Sequence, residues 1–159
     1  MAAHRSQDGT FLKHLGLRSD GSLKRVFATA DIPKGAVLVY MQGDIVEYPD
    51  RFSIQIDANK HLSSGSHWTI DDELCHSCDA NAHIDYSDLS IRAKRDIRAG
   101  EEVAINYCAS EEIVENPFHC ICGSRQCYGF VSGFKNLMPG QKKAIGDDLS
   151  PFLKAKYPL

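Results

Sequence analysis

No apolar run in this sequence approaches the roughly 20 residues that a bilayer-spanning helix needs, so no membrane partner is expected. The opening residues, MAAHRSQDGT, contain no apolar stretch of the secretory kind. Ala2 and the final Tyr-Pro-Leu match neither simple acylation nor prenylation patterns. Basic charge is not in excess either: 18 Lys and Arg against 21 Asp and Glu give a formal charge of −3. That is the wrong sign for non-specific nucleic-acid binding, so no direct nucleic-acid contact is expected. There is no Lys/Arg-rich run of the import type, and the first 74 residues contain no cysteine. These absences predict an intracellular protein, with nucleus and cytoplasm not distinguished. What is present is ordinary for one globular domain: 159 residues, 43% hydrophobic and 25% charged.

The six cysteines are Cys75, Cys78, Cys108, Cys120, Cys122 and Cys127. With no sign of export, metal binding or catalysis is a better use for them than a disulfide framework. Cys120 and Cys122, with one residue between them, cannot easily pair with each other, but both can face one metal ion. Cys108 reads as a small buried hydrophobe.

The first half reads as short strands at Arg25–Ala30, Ala36–Met41, Asp44–Tyr48 and Phe52–Ile56, punctuated by Pro- and Gly-containing turns. Residues 58–66 read as a loop. Further strands are expected at Ala82–Tyr86, Leu89–Ala93 and Glu102–Tyr107. Only Gln141–Asp148 and Pro151–Lys156 have helical spacing, the second opened by Ser150 as N-cap and Pro151 at the first helical position. The expectation is a mostly β protein. An internal echo runs through it: Ala28-Thr-Ala-Asp31-Ile32-Pro-Lys-Gly35 returns as Ala93-Lys-Arg-Asp96-Ile97-Arg-Ala-Gly100. By itself the echo fits a true repeat or two similar turns equally well.

Three segments carry a resemblance. They are Cys75-His76-Ser77-Cys78-Asp79-Ala80-Asn81, Gly100-Glu101-Glu102-Val103-Ala104-Ile105-Asn106-Tyr107, and Cys120-Ile121-Cys122-Gly123-Ser124-Arg125-Gln126-Cys127. In this order the chain resembles the SET-domain protein lysine methyltransferases with a post-SET zinc segment, over about residues 20–134. The resemblance implies a mostly β, SET-type fold of several small sheets with a pseudoknot. It also implies short C-terminal helices and a zinc site made of four cysteines in the post-SET segment. The corresponding division is an N-terminal arm and first strand (1–19), a SET domain (20–109), a post-SET zinc-binding segment (110–134) and a C-terminal helical tail (135–159). The implied cofactors are S-adenosylmethionine and Zn2+.

Carried over residue by residue, the resemblance implies zinc ligation by Cys78, Cys120, Cys122 and Cys127, a closed tetrahedral thiolate site. Cys75-x-x-Cys78 is a rival source of two ligands. Tyr107 is the implied catalytic residue, beside the transferring methyl and the attacking amine. Lys24, Arg25, Cys75, His76, Tyr107 and Phe118 stand at cofactor-facing positions. Ile105 and Met41 stand in the substrate channel, and Asn81 is placed to brace the crossing loop.

The departures from the family pattern matter as much. Where relatives have Gly-x-Gly, this chain has Leu23-Lys24-Arg25; either the side chains at 23 and 25 fill cofactor space, or Gly21 serves in a shifted loop. Cys75 replaces an asparagine and lacks its paired donor and acceptor. Asp71-Asp72-Glu73, Glu111-Glu112 and Glu115 offer an acidic surface to a basic tail, or are merely solvated charge. The leading expectation is therefore a protein-lysine methyltransferase. The alternatives are a SET scaffold repurposed for a small molecule, a catalytically silent binding module, and a bare zinc-binding interaction domain. The short segment between Ile56 and Trp68 offers little surface for a peptide, which favours an unusual or small substrate.

Overall fold

A computed structural model describes residues 6–159; residues 1–5, the start of the expected N-terminal arm, lie outside the described residues. The described residues form twelve short strands followed by two short α-helices. β1 (Leu15–Asp20) and β2 (Leu23–Ala28) form an antiparallel hairpin, with Leu15 opposite Ala28. β3 (Val37–Tyr40), β4 (Asp44–Val46), β5 (Ser53–Asp57) and β6 (Lys60–Ser63) follow. After β7 (Cys75–His76) come β8 (Ala82–Asp85), β9 (Ser90–Ala93) and β10 (Ala104–Ile105). β11 (Phe118–His119) and β12 (Phe130–Val131) precede α1 (Pro139–Ile145) and α2 (Pro151–Lys156). Two three-stranded antiparallel sheets have the orders β3-β9-β8 and β4-β6-β5, and β7 pairs in parallel with β10. Among the described residues no helix is long and apolar enough to cross a membrane.

The segment 58–66 is not the expected loop, because Lys60–Ser63 within it is the central strand β6. Its polar residues hid the strand: His61 and Ser63 are buried along with Leu62, so alternation of polar with apolar does not mark a face. Ser63 donates its hydroxyl to Asp50, which makes its burial tolerable. The helix expected over Gln141–Asp148 starts two residues earlier and ends at Ile145, where Gly146 turns the chain at φ 59°. α2 has the expected bounds, and Ser150 Oγ accepts the Leu153 N–H at 3.2 Å.

The internal echo becomes a pair of turns locked on each other about a local two-fold. Ile32 and Ile97 exchange backbone bonds of 2.8 and 2.9 Å. Gly35 N–H donates to Ala93 O, and Gly100 N–H to Ala28 O, each at 2.8 Å. Asp96 caps the Lys34 N–H and Asp31 caps the Ala99 N–H. Both glycines sit at positive φ, 82° and 90°, which explains their recurrence. Ile32 and Ile97 are each 1% exposed, and each side chain fully removed from water is worth about 1.5–3 kcal/mol.

This double turn belongs to the main core, with Val26, Leu38, Ile91 and Val103. A second core gathers Cys108, Val131, Phe134 and Leu153, so Cys108 is indeed a buried small hydrophobe. Between the two cores runs the segment from β10 to Ser110, and there the candidate site lies.

Candidate active site and cysteine cluster

Asn81 sets the position of β10. Its side-chain amide donates to Glu102 O at 2.8 Å and accepts the Ala104 N–H at 3.0 Å, supplying bonds that a neighbouring strand would otherwise make. β10 lies beside β7 with Cys75 opposite Ala104 and His76 opposite Ile105. Asn106 then accepts the Cys108 N–H at 3.0 Å, capping a 3₁₀ turn over Tyr107–Ala109. Tyr107 thus leaves the strand at a fixed angle, and its hydroxyl donates to Leu74 O at 2.6 Å. Burial pushes its pKa up, and nearby acidic groups reinforce this, so Tyr107 is a neutral hydrogen-bonding hydroxyl.

His76 joins Tyr107 to the cysteine cluster. The Tyr107 N–H donates to His76 Nδ1 at 3.0 Å, and a backbone N–H can only donate. The imidazole proton therefore sits on Nε2, facing Cys78 Sγ at 3.2 Å. Burial lowers the His76 pKa to about 4, which keeps the ring neutral. Both ring nitrogens are used inside the protein, so His76 offers the neighbouring space its ring face and backbone only. The ring packs edge-on against Tyr107 and Phe118, with centroids 5.4 and 5.8 Å away.

Cys78, Cys120, Cys122 and Cys127 converge, with all four Sγ atoms within 4.8 Å of one another. Tetrahedral zinc–sulfur bonds of about 2.3 Å give sulfur–sulfur edges of about 3.8 Å. The Cys78–Cys120 separation is 3.8 Å. Backbone N–H groups of Tyr128, Cys122 and Gly129 point at Cys78, Cys120 and Cys127 from 3.2, 3.4 and 3.4 Å, suiting thiolates. The donor set therefore fits zinc. Cys75 is outside this group: its thiol donates to Lys24 O at 3.4 Å, against the rival ligand set.

A cleft of about 1150 Å³ opens beside the cluster and brings together all the expected cofactor and channel residues: Lys24, Arg25, Met41, Cys75, His76, Ile105, Tyr107 and Phe118. That exceeds the roughly 300–1,000 Å³ of an ordinary ligand pocket, leaving room for more than one small molecule. Met41 and Ile105 are buried in its wall. Where the family pattern has glycines, Lys24 is 3.8 Å from Glu73, which also accepts the Trp68 indole N–H at 2.9 Å. Arg25 binds Glu102 at 3.0 Å, while its Nε is buried without a hydrogen-bond partner among the described residues.

A SET-domain family model matches residues 24–108, just over half of the chain. The chain belongs to the SET-domain family. It is 33% identical over 64 residues to Methyltransferase flvH of Aspergillus flavus, a match covering 39% of this chain and 36% of that protein. It is 38% identical over 64 residues to a histone-lysine N-methyltransferase, H3 lysine-36 specific, of Aspergillus oryzae, covering 36% of this chain and 6% of that much longer protein. Among solved structures, KRYPTONITE in complex with mCHH DNA, H3(1-15) peptide and SAH superposes with a TM-score of 0.60. That match has 19% identity and covers 73% of this chain and 29% of that one, so it speaks for the SET fold alone.

Sequence reasoning did not assign Glu73 and Glu102 as partners of Lys24 and Arg25, and no local signal pairs them, since Arg25 and Glu102 are 77 residues apart. Tyr128 was also missed; its hydroxyl accepts from Asn106 Nδ2 at 2.8 Å, tying the cysteine segment to the Tyr107 turn. Its place immediately after Cys127 was the available clue.

Proposed function

We propose that this chain is an S-adenosylmethionine-dependent methyltransferase of SET type acting on a primary amine, with a protein lysyl side chain as the leading substrate and zinc as structural metal. The observation that carries this reading is the Tyr107 hydroxyl, held on Leu74 O inside a cleft wide enough for cofactor and substrate together. The part-exposed Arg25 guanidinium would meet the carboxylate of such a cofactor, and Lys24, Cys75, the His76 backbone and the Phe118 ring would hold the rest. When bound, the sulfonium supplies an electrophilic methyl group.

The protein's own contribution is placement. Tyr107 is tethered at its hydroxyl by Leu74 and at its backbone by His76, so it is oriented before any ligand arrives. Reaction of an amine with a methyl group depends chiefly on alignment, and errors near 1 Å can cost about a hundredfold. Ile105 and Met41 would line the amine's approach and exclude water. The cysteine cluster, through the Cys78–His76–Tyr107 bonds, would couple zinc binding to the position of the tyrosine.

A free small amine is the second reading, favoured by one observation. β5 is an edge strand in the order β4-β6-β5, and its outer side is occupied. Gln55 N–H donates to Glu111 Oε1 at 2.9 Å, and Gln55 Oε1 accepts the Glu112 N–H at 2.9 Å. A peptide adding to this edge as a strand would have to displace both bonds.

Calorimetric titration of the zinc-loaded chain with S-adenosylmethionine and with S-adenosylhomocysteine tests the proposal. Micromolar binding of both is expected. No heat at millimolar cofactor would show that Leu23, Lys24, Arg25 and Cys75 have closed the site, and would refute methyl transfer.

A further inference from the structure

The acidic pair Glu111-Glu112 separates in the fold. Glu112 is committed to the C-terminal tail, 2.8 Å from Lys156 Nζ and 2.5 Å from the Tyr157 hydroxyl. Glu111 faces the cleft instead. Glu73, Glu102 and Glu111 line the same cleft as Tyr107. Glu73 is near Lys24 and Glu102 is paired with Arg25, whereas no cation pairs with Glu111 among the described residues. Tyr86, Tyr107 and Cys108 are the titratable groups within electrostatic reach of Glu111, and the Ser110 hydroxyl lies beside its carboxylate; none of these is cationic.

Glu111 is also rigidly placed. Its N–H donates to Tyr107 O at 2.8 Å, its carbonyl accepts the Phe134 N–H at 2.9 Å, and its carboxylate accepts the Gln55 N–H at 2.9 Å. A partly buried carboxylate without a counter-cation is costly to keep ionised. Here the missing cation has an evident source, because a primary amine reaches the cleft protonated, with a free pKa near about 10.4.

We propose that Glu111 is the carboxylate that receives the ammonium group of the substrate, beside Tyr107. The assignment rests on the amine-methyltransferase reading above and names the recognition element within it. A carboxylate that only held the ammonium would oppose methylation by keeping the proton on nitrogen. Burial raises the Glu111 pKa to about 7, so moving the proton from nitrogen to the carboxylate turns an ion pair into a neutral pair, a change that a desolvated cleft favours. The proton leaves the nitrogen with a free lone pair and resides on Glu111 until it passes to water.

The test compares the full wild-type chain with Glu111→Gln, which keeps an oxygen for the Gln55 N–H, and with Glu111→Asp, which keeps the charge. Each is titrated with n-butylammonium, with the neutral n-butanol, and with Nα-acetyl-lysine N-methylamide, in the presence and absence of S-adenosylhomocysteine. The wild type and Glu111→Asp should prefer n-butylammonium to n-butanol at least tenfold, and Glu111→Gln should lose that preference while binding n-butanol unchanged. A merely structural role would weaken both ligands alike. Tighter binding of the lysine derivative than of butylammonium would identify a lysyl source, and equal or weaker binding a free amine; either supports Glu111 if the glutamine variant loses it. Equal ammonium binding by wild type and Glu111→Gln, or no ammonium preference in the wild type, overturns the proposal. Failure of S-adenosylhomocysteine to bind any of the proteins refutes methyl transfer instead, and the titrations without it still decide Glu111.

Discussion

Keeping Glu111 charged should cost stability, and the size of that cost can be worked out. Its folded pKa is about 7 against an ordinary 4.5, raised by burial. The full difference corresponds to about 3 kcal/mol at 1.36 kcal/mol per pH unit. The carboxylate opens on a cleft that water can enter, so about 1–2 kcal/mol is the expected share. The sign follows from proton binding. Between pH 4.5 and 7 the folded chain holds a proton that the unfolded chain has lost, so stability from this group falls as pH rises and stays low above about 7. Glu111→Gln removes the titration while retaining the bond to Gln55. It should therefore melt about 2–8 °C above wild type at pH 8, at about 2–4 °C per kcal/mol, and close to wild type at pH 5. Thermal unfolding followed by circular dichroism at both pH values, with zinc present, measures the difference directly. Comparing the two proteins at each pH cancels any effect of pH on the metal site. A variant less stable than wild type at pH 8, or one shifted equally at both pH values, would refute the account of Glu111 as a buried carboxylate without a counter-cation.

Other perturbations address the remaining parts. Tyr107→Phe should cut turnover at least about a hundredfold by loosening the reacting geometry, with loss of the bond to Leu74 costing only about 1 kcal/mol; an unchanged rate in a methyl-transfer assay would remove Tyr107 from the chemistry. Cys122→Ser should lose bound zinc and melt at lower temperature together, since metal binding and folding are one equilibrium at such sites; full metal content by atomic emission would show the ligand set to be wrong. Gly133 has φ 115°, and a Cβ there would lie 2.4 Å from Glu112 O, so Gly133→Ala should displace the segment carrying Glu111 and Glu112. A destabilisation above about 2 kcal/mol by chemical denaturation is expected, and a neutral effect would show that this segment yields easily.

Much of this protein was legible in one dimension, for reasons that are local. Strand positions followed from short runs of Val, Ile, Phe and Tyr between turn residues, because such residues suit a pleated, half-buried surface. The Ser150-Pro151 start of α2 was readable because capping involves neighbours in sequence. Three cysteines within eight residues, Cys120, Cys122 and Cys127, pointed to metal binding, and the family resemblance implied Cys78 as the fourth member of the group that the fold brings together. β6 was missed because its burial pattern is set by packing between β4 and β5, which no local alternation encodes. The echo of Ala28–Gly35 in Ala93–Gly100 was visible as a repeat, but its reciprocal hydrogen bonding joins segments more than sixty residues apart. Charge was decided last of all. In sequence Glu111 and Glu112 are equivalent neighbours, and only the folded chain turns one toward Lys156 and the other toward the cleft beside Tyr107. The sequence by itself determined which chemical groups this protein owns and the short-range structure that carries them. The tertiary structure decided which of those groups neutralise each other and which carboxylate is left for a ligand, because Coulombic pairing and desolvation depend on distances in space.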